Sequence, residues 1–187
     1  MFLLAVAAIG GAAVLAFANL AAAARLAEPA VATETVVALL TGIAAVVAAF
    51  HLSLPDRSPR WALLPLPPAL AWVASSGAEC YADWVRNGAE GWEFGATFVC
   101  FRFIVAAGLP LGIALTFALR RAKPLEPVRV AAIGGLGVAA LAAVLLQFFH
   151  PFDITFIDLG AHAAAIAVVV GVTSLTARLT ERRGAAA

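Results

Sequence analysis

The chain has 187 residues, 64% of them apolar and only 12% charged, with a formal net charge of +1 and a mean hydropathy of +1.00. Such a composition excludes a disordered chain and argues against a water-soluble domain, so residues 1–187 read as a single all-α, polytopic membrane domain. The two cysteines, Cys80 and Cys100, make neither a disulfide framework nor a zinc motif, and no nucleic-acid partner is expected.

Crossing the hydrocarbon takes about 20 apolar residues as helix. Six runs are candidates: 2–24, 31–54, 61–74, 94–119, 128–149 and 155–177. The first has small residues at 21–24 but lacks a basic leader and is too long for an ordinary signal core, so it reads as an uncleaved span. Pro65, Pro67 and Pro68 crowd the third run and predict a kinked or irregular entry. Between the third and fourth runs, 75–93 reads as a polar outer loop carrying Cys80, Trp84 and Trp92, the tryptophans as interface anchors. In the fourth run, Gly108 and Gly112 flank Pro110 as a small-xxx-small pair, suited to internal packing or to dimerisation. The segment 120–127 reads as a basic, proline-rich loop. No internal repeat of the transporter kind is visible.

Orientation follows from the cations. With the N-terminus inside, the cytoplasmic segments hold Arg57, Arg60, Arg120, Arg121, Lys123, Arg129, Arg178, Arg182 and Arg183. The opposite side holds Arg25 and Arg86 and most acids, among them Glu34, Glu79, Asp83, Glu93, Asp153 and Asp158. The positive-inside rule then places both termini in the cytoplasm, giving a six-helix bundle in a bacterial inner membrane, N-in and C-in. His51 reads as an interface residue at the inner end of the second run.

The segment from His150 to His162 joins the last two runs and concentrates ionisable groups at a membrane edge, where they are costly and suggest function. Pro151 ends the fifth run, and Asp158 and His162 fall one helical turn apart on one face. Cys100 lies roughly 10 Å inside the fourth run by helical rise. Two readings stand side by side. In one, the segment is a polar turn with a packed histidine, and Cys100 is a small buried apolar residue. In the other, Cys100, His150 and His162 converge in an outward-facing pocket that binds a soft metal ion or is oxidised, with Asp158 holding the His162 ring. Arg102 is expected to snorkel outward or to pair with an acid near the outer edge, Asp158 or Asp153 first, with Glu93 as a third candidate. Cys80, beside Glu79 and Asp83, is a poor nucleophile that could still pair with Cys100 in an oxidising compartment. No nucleophile elbow, phosphate loop or nucleotide fingerprint is present, and no enzyme is expected.

From residue 91 to 178 the order of features resembles the NrsF family. These features are Phe98-Val99-Cys100-Phe101, Gly108-Leu109-Pro110-Leu111, Arg120-Arg121-Ala122-Lys123-Pro124, a Gly/Ala-rich span, and Phe149-His150-Pro151-Phe152-Asp153. The resemblance implies a six-span inner-membrane anti-sigma factor that holds an extracytoplasmic-function sigma factor, with a cysteine pair implicated in sensing heavy-metal or related stress. Cys100 matches the first cysteine; Pro151 stands where the family has the second. The family also carries a cytoplasmic segment ahead of its first span, whereas the sequence given starts within a span. The expectation is that this segment precedes the given start, or that sigma binding falls to the loops and the C-terminus. On the resemblance, Arg57, Arg60, Arg120, Arg121 and Lys123 are the partner-binding surface, and a soft metal ion is the transient signal, with no resident cofactor. The rivals from other classes are a small transporter or metal-handling membrane protein and a structural membrane subunit.

Overall fold

The computed structural model describes residues 24–88, 94–149 and 155–185. They form α1 (Pro29–Leu52), a 3-10 turn (Pro59–Leu63), α2 (Leu66–Asn87), α3 (Phe94–Arg120), α4 (Pro127–Leu146) and α5 (Phe156–Ala185), with no strand among the described residues. Four segments are long and apolar enough to cross a membrane: Pro29–Leu52, Thr97–Arg120, Pro127–Leu146 and Phe156–Arg182. Four, and not six, meet that criterion among the described residues; the expected first run lies almost wholly outside them.

Prolines set the starts. Pro29 and Pro127 sit in the first turns of α1 and α4, where a missing N–H costs nothing. The crowded prolines of the third run give the irregular entry they predicted. A 3-10 turn, capped by Ser58, is followed by Pro65 as the residue before α2 and by Pro67 and Pro68 in its first turn. The ends have their own chemistry. Gly88 closes α2 with φ of 61°, a left-handed conformation that glycine adopts without a steric penalty. After α3, Lys123 takes φ of 50° and donates its N–H to the Arg120 carbonyl at 2.9 Å before Pro124 turns the chain away.

One expected boundary is corrected. The polar stretch after the third run is not a loop: α2 continues through it to Asn87. Ser76, Cys80 and Asp83 are buried on its inner face with Trp72, whereas Ser75 and Glu79 are half-buried and Arg86 and Asn87 are exposed near its end. Leu66, Leu70, Val73, Tyr81 and Val85 are exposed on the outer face. Trp84 meets Phe156 at the start of α5, ring edge to ring face at 6.3 Å, so it packs an interhelical contact. Trp92 lies outside the described residues.

Successive helices alternate in direction. Glu34 of α1 meets Ser76 of α2, Cys80 meets Thr155 just ahead of α5, and Thr97 of α3 meets Asp158 of α5, so these groups share one end. The other end is tied by Arg120 to the Thr180 carbonyl and by the His51 ring stacked on Trp61 at 3.8 Å. Helix α4 runs through the middle and touches α1, α3 and α5.

The packing is small inside and large outside. On α1, Ala38, Thr41, Gly42, Ala45, Ala48 and Ala49 are buried. Val36, Leu39, Leu40, Ile43, Val47 and Phe50 of the same helix are exposed. Lipid solvates large apolar side chains as well as a protein interior does, so close helix approach through small residues is what holds such a bundle. A Cβ on Gly137 of α4 would lie 3.0 Å from the Gly42 carbonyl oxygen and 2.9 Å from the Val46 nitrogen, so bare backbone lets α1 and α4 approach. Gly108 and Gly112 of α3 face Val169 and Thr173 of α5, which makes them internal packing residues.

Candidate functional site

The shared end of α2, α3 and α5 is built around Asp158. Thr155 precedes α5, and Asp158 is three residues on. One carboxylate oxygen of Asp158 accepts from the Thr155 N–H at 3.0 Å and from its hydroxyl at 2.7 Å. The Asp158 N–H in turn donates to the Thr155 hydroxyl oxygen at 3.3 Å. This is a reciprocal capping box, satisfying helix-start donors that nothing else reaches. The other carboxylate oxygen accepts from the Thr97 hydroxyl of α3 at 2.5 Å. The Cys80 thiol of α2 donates to the Thr155 carbonyl at 3.3 Å. Cap and acid thus fasten three helices together, with Asp158 only 6% exposed.

One turn further, His162 holds its ring against the Asp158 backbone carbonyl, Nδ1 to oxygen 2.7 Å. With Nδ1–H as the donor, Nε2 is left to the neighbouring cavity. This cavity, about 430 Å3, is lined at its polar side by Glu34, Ser76 and His162, with Trp72 beside them. Ser76 donates to a Glu34 carboxyl oxygen at 2.8 Å. Among the described residues no Arg or Lys pairs with Glu34 or Asp158; the ion pairs are Arg25–Glu28 and Glu126–Arg129.

The structure redistributes the roles expected from sequence. Cys100 is 1% exposed and belongs to the apolar core with Trp72, Ile104 and Ala165. Asp158 lies within electrostatic reach of both Cys100 and Cys80. Both cysteines are free and buried, and Cys80 is in a helix rather than in an outer loop. Asp158 does share a face with His162, but its backbone carbonyl, not its carboxylate, orients the ring, because the carboxylate is consumed by the cap. Arg102 is not its partner. The guanidinium is exposed, stands 5.7 Å over the Phe98 ring, and has no carboxylate at salt-bridge distance among the described residues. Its other candidate acids, Glu93 and Asp153, lie outside the described residues; within them, the guanidinium is directed outward over an aromatic face. His150 and Asp153 lie outside the described residues. Among the described residues no group of three or more His, Cys, Asp or Glu is arranged to hold a metal ion.

At the opposite end, Arg57, Arg60, Arg121 and Lys123 are exposed. Arg120 is half-buried, donates to the Thr180 carbonyl at 3.2 Å and lies over the Phe117 ring, so it fastens α3 to α5. A groove of about 260 Å3 runs between the two loops of this end, lined by Leu54, Arg57, Leu125, Glu126 and Arg129 among others.

Glu34, Ser76, Thr97 and Thr155 were not expected in the site. Glu34 groups by sequence with the outer acids, although its place three residues inside an apolar run is the signal of a buried carboxyl. The Thr-x-x-Asp spacing before the last run was equally legible as a cap. Thr97 and Ser76 carried no local signal, since their partners are 61 and 42 residues away.

Compared with known families, residues 1–182 match the model described as NrsF, negative regulator of sigma F. No curated protein and no solved structure matches the chain.

Proposed function

Because the chain belongs to the NrsF family of negative regulators of sigma F, we propose that it is a membrane-bound anti-sigma factor that holds an extracytoplasmic-function sigma factor at the bacterial inner membrane. The observation that carries this reading is the extent of the family match, residues 1–182 of 187. The inside-out packing supports the membrane, since exposed Leu, Ile, Val and Phe cover the outer faces of α1 and α2. In this reading α2 crosses as well, with Ser76, Cys80 and Asp83 turned inward, and residues 2–24 supply the sixth span. Both termini are cytoplasmic, on the basic side.

Sigma retention falls to the basic end. Arg57, Arg60, Arg121 and Lys123 offer cations to an acidic partner surface, and Leu54 and Leu125 beside the groove offer apolar contact. The stress signal acts at the other end. A soft ion bound by Cys100 with His162 and His150 has to enlarge a closed core, because the Cys100 thiol is 1% exposed. Helix α5 joins the two ends, from its cap at Asp158 to Thr180 under Arg120, so a shift at the cap moves the basic surface. The missing second cysteine weakens the metal response relative to the family pattern.

The test is sigma-dependent transcription in unstressed cells. Deleting the protein raises the transcript, and the triple reversal R57E/R121E/K123E raises it toward the deletion level at unchanged membrane abundance. A transcript unaffected by deletion removes the anti-sigma reading. A transcript raised by deletion but not by reversal moves the docking surface elsewhere.

A further inference from the structure

The Glu34 cavity shares His162 with the proposed metal response, but its carboxyl and its apolar wall have no part in that response. We propose that it is a binding site for a compact lipophilic amine, whose ammonium group pairs with Glu34 and whose apolar body fills the space between α2 and α5.

The composition of the wall argues for an amphiphile. Polar groups are confined to one side, where Glu34 of α1, Ser76 of α2 and His162 of α5 meet beside the Trp72 indole. The rest is apolar, with Ala69, Val73, Leu136, Leu159, Ile166 and Val170. A few convergent polar groups in an otherwise apolar concavity of about 430 Å3 is the ordinary form of a small-molecule site. The volume is too small for a two-chain lipid and right for a compact ring system.

The charge argues for a cation. Glu34 is 6% exposed and sits roughly 7.5 Å past the start of α1 by helical rise. A carboxyl there is expensive without a partner. Its protein donors are neutral, the Ser76 hydroxyl and the Trp72 indole N–H, and no Arg or Lys pairs with it among the described residues. Nearby ionisable groups are His162 from α5 and Glu79 from α2 itself, so the site has no fixed cation of its own. An ammonium would gain a charge-assisted hydrogen bond to Glu34, and the Trp72 ring and the His162 Nε2 lone pair suit the same guest. The mouth argues for a lipophilic guest: Val73, Ala163 and Ala167 on the wall are exposed on the face that a bilayer covers.

The test uses the full chain in nanodiscs and three probes of one shape: 1-adamantylamine, 1-adamantanol and adamantane-1-carboxylate. Equilibrium dialysis against empty nanodiscs corrects for partition into lipid. The amine is expected to bind saturably and about tenfold or more tighter than the alcohol, with the carboxylate weaker than both. Glu34→Gln keeps an oxygen for Ser76 and is expected to bring the amine down to the alcohol. Ala163→Phe, which fills the mouth, is expected to abolish both. Should a variant fail to fold, a photoreactive adamantylamine on the parent protein reads the same claim, with labelling expected at the lining residues of α1, α2, α4 and α5. Amine and alcohol binding alike, a preference that survives Glu34→Gln, or labels outside the cavity would overturn the proposal.

Discussion

Asp158 concentrates more structure than any other side chain described. It closes the cap with Thr155 and accepts from Thr97 across the helix interface. Asp158→Ala removes the acceptor of the Thr155 hydroxyl and amide and breaks the Thr97 bond across the α3–α5 interface, all in a buried place. It is expected to cost about 2–4 kcal/mol, combining a lost cap with unsatisfied donors. Thermal unfolding in detergent reads this, and an unchanged midpoint would remove Asp158 from the framework. The opposite sign is expected at His51. Its ring stacks on Trp61, 7° from parallel, while the buried Nδ1 has no hydrogen-bond partner among the described residues. His51→Phe keeps the stack and removes the orphan, so it is expected to stabilise by about 1 kcal/mol. At this scale the sequence was legible in part. The Thr-x-x-Asp spacing marks a cap by itself, yet Asp158 also drew a ligand-supporting reading. Thr97, which completes its hydrogen bonding, is visible only once α3 and α5 are side by side.

Among the elements, the four long apolar helices begin and end within a few residues of the hydrophobic runs, apart from the polar tail of α5. Run length is a direct consequence of bilayer thickness, so it survives translation from sequence. Helix α2 was misread because its inward Ser76, Cys80 and Asp83 lower the hydropathy of a stretch whose outer face stays apolar. Averaging along the chain cannot separate two faces; only the helical period does. Packing between elements rests on glycine. A Cβ on Gly112 would meet the Thr173 methyl at 2.7 Å, whereas one on Gly77 of α2 meets nothing within 4 Å. Gly112→Val is therefore expected to lower the melting temperature strongly, by the ~1–3 kcal/mol of an overpacked core or more, and Gly77→Ala to leave it level or slightly raised. Equal effects from both would mean that the α3–α5 seam is not packed as closely as described.

For the molecule as a whole, charge separates the two ends of the bundle. The capped end carries Glu34, Asp83 and Asp158 in buried positions, and the other carries Arg57, Arg60, Arg120, Arg121, Lys123, Arg129, Arg178 and Arg182. In the proposed topology the basic end faces the cytoplasm, as the positive-inside rule expects. Reporter fusions after Asn87 and at Ala187 are expected to report opposite sides of the membrane, and the same side for both would contradict the six-span proposal. The metal reading is tested on the intact chain by Cys100→Ser and His150→Ala. Both are expected to blunt the transcriptional response to cadmium while leaving the protein in the membrane, and responses equal to the parent would return Cys100 to the role of a small core residue. The central claim is that this bundle holds a sigma factor at the membrane, and purification of the tagged full-length chain from native-host membranes tests it most directly. The account expects one sigma factor to co-purify from unstressed cells and to be lost in R57E/R121E/K123E. Membranes that retain the protein but no sigma factor, with the same sigma-dependent transcripts before and after deletion, would contradict it.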